Sequence, residues 1–412
     1  MKLIKNRTAY IFYTLLTGFV ANGCVEPIDF ETINFDDALV IEATITNEFK
    51  HHEISLTRTF QFEDDAPSAE SNAIVIVTDD LLNTYTFEET APSKYVSINE
   101  FSAEPNRVYK LEITTRAGST YSSQPSELPQ TIQLDEVLAI REENTNGIDG
   151  VTIYVNSFDP TGNSRYYRYE FEETYKILAP FALSPEKVVV LSELPPYSIT
   201  TSVTTQPRTQ EERVCFNTVF SNAIVQTQTT GLLEDKILRF PIRFVPSDDP
   251  IIRDRYSINV TQYVQSLEAF TYYDVLNKLT SSESLLSQNQ PGFINGNIKS
   301  NENPDEKVLG FFEITSVSSK RLFFNFADIF PDLNRPAYYT ECELESPRLI
   351  DENDPTISPL IDLINSNTLR HVETITDLLG NINPVTPYRM VNRPCGDCTV
   401  FGTNVKPNFW ID

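Results

Sequence analysis

Histidine, methionine and tryptophan are scarce in this sequence of 412 residues, which contains three, two and one of them. Tyrosine (19) and phenylalanine (26) are abundant, and this mixture favours strands over helices. His51 and His52 are neighbours at a predicted hairpin turn, where they point to opposite faces and cannot both bind one ion without a bend. His371 lies in a predicted helical stretch. We therefore interpret the histidines as solvated, and a catalytic triad has little support.

Basic residues are also much less frequent than acidic residues. The chain has 32 Lys and Arg against 58 Asp and Glu, which gives a formal net charge of −26. Nucleic-acid binding needs clustered basic side chains that neutralise phosphates, so this composition argues against a nucleic-acid partner. Apolar residues make up 40% of the chain, which excludes global disorder, and the length predicts about two or three domains.

The common catalytic motifs are missing. No G-x-G-x-x-G, P-loop, H-E-x-x-H or G-x-S-x-G element stands where its fold would require it. The carboxylate clusters at Glu170–Glu173, Asp248–Asp249 and Asp351–Asp354 are interpreted as solvated surface, with catalysis as the least favoured alternative. Calcium binding at Asp351–Asp354 stays open, although the glycine and closing glutamate of an EF-hand are absent. We expect no enzyme, no cofactor and no metal site.

The first 23 residues resemble a secretory signal peptide. Lys2, Lys5 and Arg7 precede an apolar run over 9–20, which is too short to remain as a membrane helix. Gly23 stands directly before Cys24, as a lipoprotein signal peptidase requires. We predict a lipoprotein signal peptide over 1–23 and a lipidated Cys24, whose acyl chains would anchor the protein stably. An ordinary cleaved signal with a chance cysteine is the alternative.

An acidic tether is predicted over 24–38. Acidic residues just after a lipidated cysteine resemble the signal that sends Bacteroidota lipoproteins to the outer face of the outer membrane, while a solvated linker is the alternative. The expected location is therefore the outer membrane, lipid-anchored and facing the cell surface. A periplasmic orientation stays open.

Four further cysteines follow, at Cys215, Cys342, Cys395 and Cys398. An even number in an exported chain predicts disulfides, and four cysteines allow three pairings. The Cys-x-x-Cys spacing of the last two is also compatible with a zinc site or a redox motif. Both interpretations are less favoured than disulfides, since a zinc ribbon needs a second close pair of cysteines and a redox motif needs to lie at the start of a helix.

Alternation with period two begins at Leu39 and continues to about residue 125. Six or seven short strands with turns between them predict an N-terminal antiparallel sandwich of the immunoglobulin or fibronectin kind over 39–125. Tyr109 opens one of these strands and resembles a corner tyrosine, whose hydroxyl binds backbone. A polar segment with Pro125 and Pro129 predicts a domain boundary.

A larger β-rich domain with a few short helices is predicted over 131–412, ending in the Cys-x-x-Cys tail. Its predicted elements include a hairpin of 308–317 with 321–326 and helices at 265–279, 358–365 and 371–379. The segment 179–210 is rich in proline, serine and threonine and is interpreted as a functional loop or a flap. Tyr154, Tyr166 and Arg168 are predicted on a solvated face as ligand or partner contacts.

Several segments together resemble a known family. They are Gly23–Cys24, Leu39–Glu42, 109–113, PGFINGNI at 291–298, LGFF at 309–312, and the tail from Cys395–Cys398 to Trp410. Their order and spacing resemble a family of Bacteroidota outer-membrane lipoproteins catalogued as a domain of unknown function. Members of that family are often encoded beside TonB-dependent receptors of the SusC type, so the resemblance implies such a partner. It implies no catalytic residues.

The sequence leads to one favoured function and two alternatives. We expect a non-enzymatic, lipid-anchored outer-membrane accessory protein that docks on a SusC-like TonB-dependent transporter and assists ligand capture. A structural subunit of an outer-membrane assembly or an adhesin is the first alternative, because strand-rich sandwiches also serve as spacers. A surface glycan hydrolase is the second.

Overall fold

Alternation of buried and exposed side chains along the chain produces the strands. In the first strand Leu39, Ile41 and Ala43 are buried while Glu42 is exposed, because successive side chains of a strand point to opposite faces. The computed structural model describes residues 37–60, 66–281 and 294–412. The predicted signal peptide (1–23), Cys24 and nearly all of the tether (24–38) lie outside the described residues.

Strands dominate the described part of the chain. In chain order they are β1 (Leu39–Thr46), β2 (Glu53–Arg58), β3 (Ser68–Ala69), β4 (Ile74–Asp79), β5 (Thr84–Ala91), β6 (Lys94–Ser97), β7 (Val108–Thr114), β8 (Thr120–Ser123), β9 (Ser126–Glu127), β10 (Leu134–Glu143), β11 (Asp149–Asp159), β12 (Tyr166–Leu178), β13 (Glu186–Val190), β14 (Val203–Pro207), β15 (Val214–Phe220), β16 (Val225–Gln228), β17 (Asp235–Pro246), β18 (Arg255–Val264), β19 (Ile298–Ser300), β20 (Val308–Asn325), β21 (Leu344–Glu345), β22 (Leu369–Thr374) and β23 (Tyr388–Asn392). The prediction of a mainly β protein is confirmed.

The helices are few and mostly short. In chain order they are α1 (Leu267–Ser281), α2 (Phe326–Ile329), α3 (Pro359–Asn365) and α4 (Arg393–Gly396), with 3-10 turns at Pro250–Ile252 and Cys398–Val400. The predicted helices at 265–279 and 358–365 are confirmed as α1 and α3. The predicted helix at 371–379 is wrong, because Leu369 and His371 are both buried with period two and belong to β22. No helix of the described residues is long and apolar enough to span a bilayer.

Most strands belong to one large sheet. Its order is β15-β12-β18-β20-β1-β2-β6-β5-β4-β7-β8-β19, with β16 added to β12, β3 to β2 and β9 to β7. Three smaller sheets, β10-β11-β17, β13-β14 and β21-β23-β22, complete the described fold. The buried apolar side chains form three clusters, one of which lies within the β13-β14 and β22-β23 region.

The long strand β20 links the two halves of the large sheet. Its first half runs parallel to β1, from Val308 opposite Leu39 to Thr315 opposite Thr46. Its second half runs antiparallel to β18, from Ser316 onward. Strands from both sides of the predicted boundary near residue 125 are therefore hydrogen-bonded in one sheet. The division into units 39–125 and 131–412 stays a prediction.

The predicted hairpin of 308–317 with 321–326 is wrong, because these residues form one strand. The polar residues 318–320, which were expected to form the turn of the hairpin, continue the pairing with β18, where Ser318 lies opposite Gln262. Their side chains also bind the segment at the start of β10: the Ser318 hydroxyl accepts from the backbone of Leu134 at 2.9 Å. The polar residues therefore make interstrand contacts and do not form a turn.

Two glycines allow the close approach of β1, β20 and the chain before β19. Gly310 has a φ of +114°, and a Cβ there would lie 1.8 Å from the carbonyl oxygen of Ile41. A Cβ on Gly296 would lie 1.7 Å from the carbonyl oxygen of Gly310. Only glycine combines that backbone conformation with such a distance. The parallel pairing of β1 with β20 therefore depends on a residue without a side chain.

The predicted disulfides are confirmed, and their pairing is resolved. Cys215 bonds to Cys398 and Cys342 bonds to Cys395. The two cysteines of the Cys-x-x-Cys tail are thus joined to distant partners and not to each other. The zinc and redox alternatives are set aside because all four thiols are used in these bonds.

The histidine interpretation is wrong for two of the three residues. His52 is buried, and its Nε2 lies 2.9 Å from the carbonyl oxygen of Phe101, to which it donates. His371 is buried on β22, with its Nδ1 3.2 Å from the carbonyl oxygen of Glu186. His51 is exposed, as expected. A backbone carbonyl lies within hydrogen-bond distance of one nitrogen of each buried ring, whereas the Nδ1 of His52 is buried without a hydrogen-bond partner in the described structure.

Candidate functional site

A cavity of about 890 Å³ lies where α1 meets the large sheet. Side chains and backbone from β1, β12, α1 and β20 line it, together with the connection at 221–224 and Ile294. Helix α1 packs against β12 and β20, so it covers one face of the sheet and leaves this space at the boundary. Cavities of this size with apolar walls and a few polar groups are typical of ligand sites.

An aromatic cluster forms one wall of the cavity. The rings of Tyr272 on α1 and Phe311 on β20 lie 5.2 Å apart, and Tyr272 also contacts the ring of Tyr273 at 5.4 Å. Burial and the charge of Glu42 raise the pKa of Tyr272, while a hydrogen bond with the backbone of Gly310 opposes the shift. The phenol therefore stays protonated at neutral pH and keeps a polar group in an apolar wall.

A buried arginine lies beside this wall. The guanidinium carbon of Arg168 on β12 is 4.1 Å from the ring centroid of Tyr263 and 4.7 Å from that of Tyr273. The same guanidinium contacts the carboxylates of Glu170 and Glu313. Burial is the largest single effect and lowers the pKa of Arg168, but the charges of Glu313 and Glu170 together with Tyr273 and Tyr263 outweigh it, so the pKa is raised overall. Arg168 therefore carries a permanent charge that is already paired.

Polar side chains complete the network around this ion pair. Gln265 donates to Glu313 at 2.9 Å, and the hydroxyl of Tyr263 donates to Glu170 at 2.8 Å. Gln226 in turn donates to Gln265 at 2.8 Å. The Nε of Arg168 is the exception, because it is buried without a hydrogen-bond partner in the described structure. The rest of the network is satisfied, as a stable buried ion pair requires.

Glu42 supplies the cavity with a carboxylate that has no cationic partner among the described residues. It lies on the exposed face of β1, opposite Phe311 in the parallel register. Within the described residues it makes no hydrogen bond or ion pair, whereas Glu170 and Glu313 are both held by Arg168. Glu42, Glu170 and Glu313 carry three negative charges against the one positive charge of Arg168, so the site is negatively charged, and Glu42 is the one of the three that Arg168 does not contact.

The structure separates the predicted contact residues. Arg168 lines the cavity but its side chain is only 7% exposed, so the prediction of a solvated face is wrong for this residue. Tyr166 lies on the same face and packs against Phe270 of α1, with ring centroids 5.0 Å apart. Tyr154 lies on β11 in a different sheet and donates to Glu142. It is not part of the cavity lining.

Sequence reasoning missed Glu42, Tyr272 and Phe311. The apolar and aromatic residues of α1 recur at helical spacing, but such a pattern is typical of core packing and does not by itself mark Tyr272 as a site residue. The interpretation of 179–210 as a loop or flap is also wrong, because this segment contains the β13-β14 hairpin with buried Val188 and Val203.

The acidic clusters serve the fold. Asp351 accepts from the backbone of Asn353 at 2.8 Å and of Asp354 at 3.1 Å, which caps a turn. Glu173 is buried and accepts from the hydroxyl of Tyr256 at 2.6 Å, so its interpretation as solvated surface is wrong. Within the described ranges, no group of three His, Cys, Asp or Glu side chains is placed to hold a metal ion.

Comparison with known families identifies the chain at the level of a family. The family model described as Domain of unknown function (DUF4249) matches residues 25–321. The chain belongs to the DUF4249 family. The matched residues include all the elements that line the cavity, whereas β21, β22, β23 and three of the four disulfide cysteines lie beyond them. No curated protein matches this DUF4249 chain.

Proposed function

We propose that this DUF4249 protein is a non-enzymatic, lipid-anchored accessory protein of a Bacteroidota outer membrane, facing the cell surface. It captures a ligand in the cavity at α1 and docks on a SusC-like TonB-dependent transporter that takes the ligand up. The observation that carries the proposal is the cavity itself, with its aromatic wall and unpaired carboxylate. All of its lining lies within the residues that match the family.

The character of the lining supports binding over catalysis. Its described residues include no histidine, cysteine or lysine, and the glutamates among them are Glu42 and Glu170. Arg168 and Tyr263 hold Glu170 in place, which leaves no pair of free carboxylates of the kind that a glycosidase uses. Turnover of glycans by the purified protein would contradict the proposal.

Ligand capture is tested by filling the cavity. Leu276 lines it, so Leu276→Trp should reduce ligand binding and the thermal stabilisation that binding gives. Leu267 lies on the same helix but is 53% exposed outside the cavity lining, so Leu267→Trp is the matched control. Equal stabilisation of both variants by a bound compound would show that the compound binds elsewhere.

The proposed anchor rests on the sequence. Gly23 precedes Cys24 and the family match begins at the next residue, Val25. Cys24→Ser should abolish incorporation of labelled palmitate and release the protein from the membrane fraction. Gly23→Ala keeps a small residue before the cysteine, so this variant should still incorporate palmitate and stay in the membrane fraction. Protease treatment of intact cells should degrade the anchored protein, because the proposed orientation exposes it to the medium.

Docking on a transporter follows from the family resemblance and from the anchor. A lipid anchor confines the protein to two dimensions, so a weak interface is strengthened by a high effective concentration. Purification from detergent-solubilised membranes should recover a β-barrel partner that mass spectrometry identifies. Recovery of no β-barrel would contradict this part of the proposal. Recovery of a β-barrel by a protein that binds no ligand would support the structural-subunit alternative.

A further inference from the structure

Glu42 gives the cavity a chemical preference. We propose that the cavity selects organic cations, in which an ammonium or guanidinium group is carried on an aromatic or apolar body. This inference rests on the proposed function, because it names the ligand class of the same site. It follows from the place of one unpaired carboxylate beside an aromatic wall.

The geometry puts a charge partner and an aromatic surface next to each other. Glu42 lies opposite Phe311 in the register of β1 with β20, and Phe311 contacts Tyr272 at 5.2 Å between ring centroids. Glu42 and Tyr272 line the same cavity, and the charge of Glu42 contributes to the raised pKa of the Tyr272 phenol. A cation is attracted both to a carboxylate and to the face of an aromatic ring.

The same cavity already contains an example of this recognition within the chain. The guanidinium of Arg168 lies between the rings of Tyr263 and Tyr273 and contacts two carboxylates. Glu42 with Phe311 and Tyr272 repeats the combination of a carboxylate and aromatic rings, but without a cation. A ligand cation would therefore meet at Glu42 the kind of surroundings that Arg168 has.

An anionic ligand is disfavoured by the charges of the site. Arg168 is the only cation among the lining residues that the structure describes, and its guanidinium contacts Glu170 and Glu313. An incoming carboxylate or phosphate would have to displace one of these partners and would also face Glu42. The chain as a whole carries a formal net charge of −26, which repels anions and attracts cations at long range.

A matched pair of small probes tests the inference. Phenethylamine and phenethyl alcohol have the same aromatic body. The amine ends in a positively charged ammonium group at neutral pH, whereas the alcohol ends in an uncharged hydroxyl. Isothermal titration calorimetry of the full mature protein should show that the amine binds about tenfold more tightly than the alcohol. A gain of this size is expected when one cation contacts a carboxylate and an aromatic ring. The preference should weaken at high salt, because ions screen a partly exposed charge pair.

Two charge-removing variants give the control. Glu42→Gln should remove the preference for the amine and leave binding of the alcohol unchanged. Glu88→Gln removes the same charge from an exposed position of β5 that is outside the lining, and it should keep the preference. Both residues are exposed strand positions, so both variants should fold, and circular dichroism checks that they do.

Three results would overturn the inference. If the alcohol binds as tightly as the amine, the site binds aromatic compounds without regard to charge, and the proposed capture function survives. If Glu42→Gln keeps the preference, another group recognises the cation. If neither probe binds and Leu276→Trp behaves like wild type with every compound tested, ligand capture in this cavity fails as well.

Discussion

Cys215 on β15 is bonded to Cys398, which begins the 3-10 turn after α4, across a sequence separation of 183 residues. The bond fixes the C-terminal segment to the edge of the large sheet. Trp410 contacts this junction, because its ring lies 4.9 Å from that of Phe216. The single tryptophan of the chain therefore reports on the state of the region that the disulfide holds.

Removal of this disulfide should destabilise the protein. In the loop-entropy account, the double variant Cys215→Ser and Cys398→Ser should lower the free energy of unfolding by about 3–5 kcal/mol. The corresponding variant of Cys342 and Cys395 opens a loop with a separation of 53 residues and should lose about 1 kcal/mol less, because the entropy grows with the logarithm of loop length. Urea unfolding followed by tryptophan fluorescence measures both. Wild-type midpoints would contradict the prediction.

Gly310→Ala should disrupt the pairing of β1 with β20. The new Cβ would meet the carbonyl oxygen of Ile41 at 1.8 Å in a left-handed backbone conformation, so we expect a loss of about 2–4 kcal/mol in the free energy of unfolding. Gly118 also has a positive φ, of +92°, but no atom within 4 Å of a built Cβ. Gly118→Ala should lose only about 1 kcal/mol, and equal losses would show that the close approach does not matter.

Arg168→Met should be strongly destabilising. The change leaves the buried carboxylate of Glu313 without its cation, and breaking a buried pair in this way costs about 3–5 kcal/mol. The double variant Arg168→Met with Glu313→Gln removes both charges and should recover part of the loss. Urea unfolding of the two variants tests this, and a double variant less stable than Arg168→Met would argue against a charge effect.

His52 should make the protein less stable in mild acid. Burial lowers the pKa of His52 to about 4, although its hydrogen bond to the carbonyl of Phe101 acts in the opposite direction. Its folded pKa lies below its unfolded value, so its contribution is complete above about pH 6.5 and is lost as the pH falls toward 4. Between pH 7 and pH 5 the expected loss is about 1–2 kcal/mol.

The matched variants for this prediction are neighbours. His52→Gln can still donate to the carbonyl of Phe101 but does not titrate, so the difference in unfolding free energy between pH 7 and pH 5 should shrink. His51 is exposed, and His51→Gln should keep the wild-type difference. An unchanged pH dependence in His52→Gln would assign the acid sensitivity to other groups.

Local pattern predicted the local parts of the fold. The alternation at Leu39–Thr46 identified β1, and the hydroxyl of Tyr109 binds backbone as expected, since it accepts from the amide of Glu104 at 2.9 Å. The even number of cysteines predicted disulfides without their partners. The course of β20 was missed because Ser318 and its polar neighbours resemble a turn. Their partners lie on β18 and at the start of β10, which local pattern cannot show.

The candidate site was predicted only in part. Arg168 was recognised as a contact residue because the strand period placed it opposite the core. That period shows which residues share a face but not what covers it, and α1 covers this one. Glu42, Tyr272 and Phe311 come from three distant segments, and their proximity depends on the parallel register of β1 with β20.

The parallel register has a consequence for biosynthesis. Residues of β1 are made early, but the strand that closes their open edge, β20, is made after more than half of the chain. During that interval β1 presents unpaired amide and carbonyl groups to its neighbours, which is the usual template for intermolecular pairing. We therefore expect incomplete chains that end before residues 308–315 to aggregate more readily than the full chain.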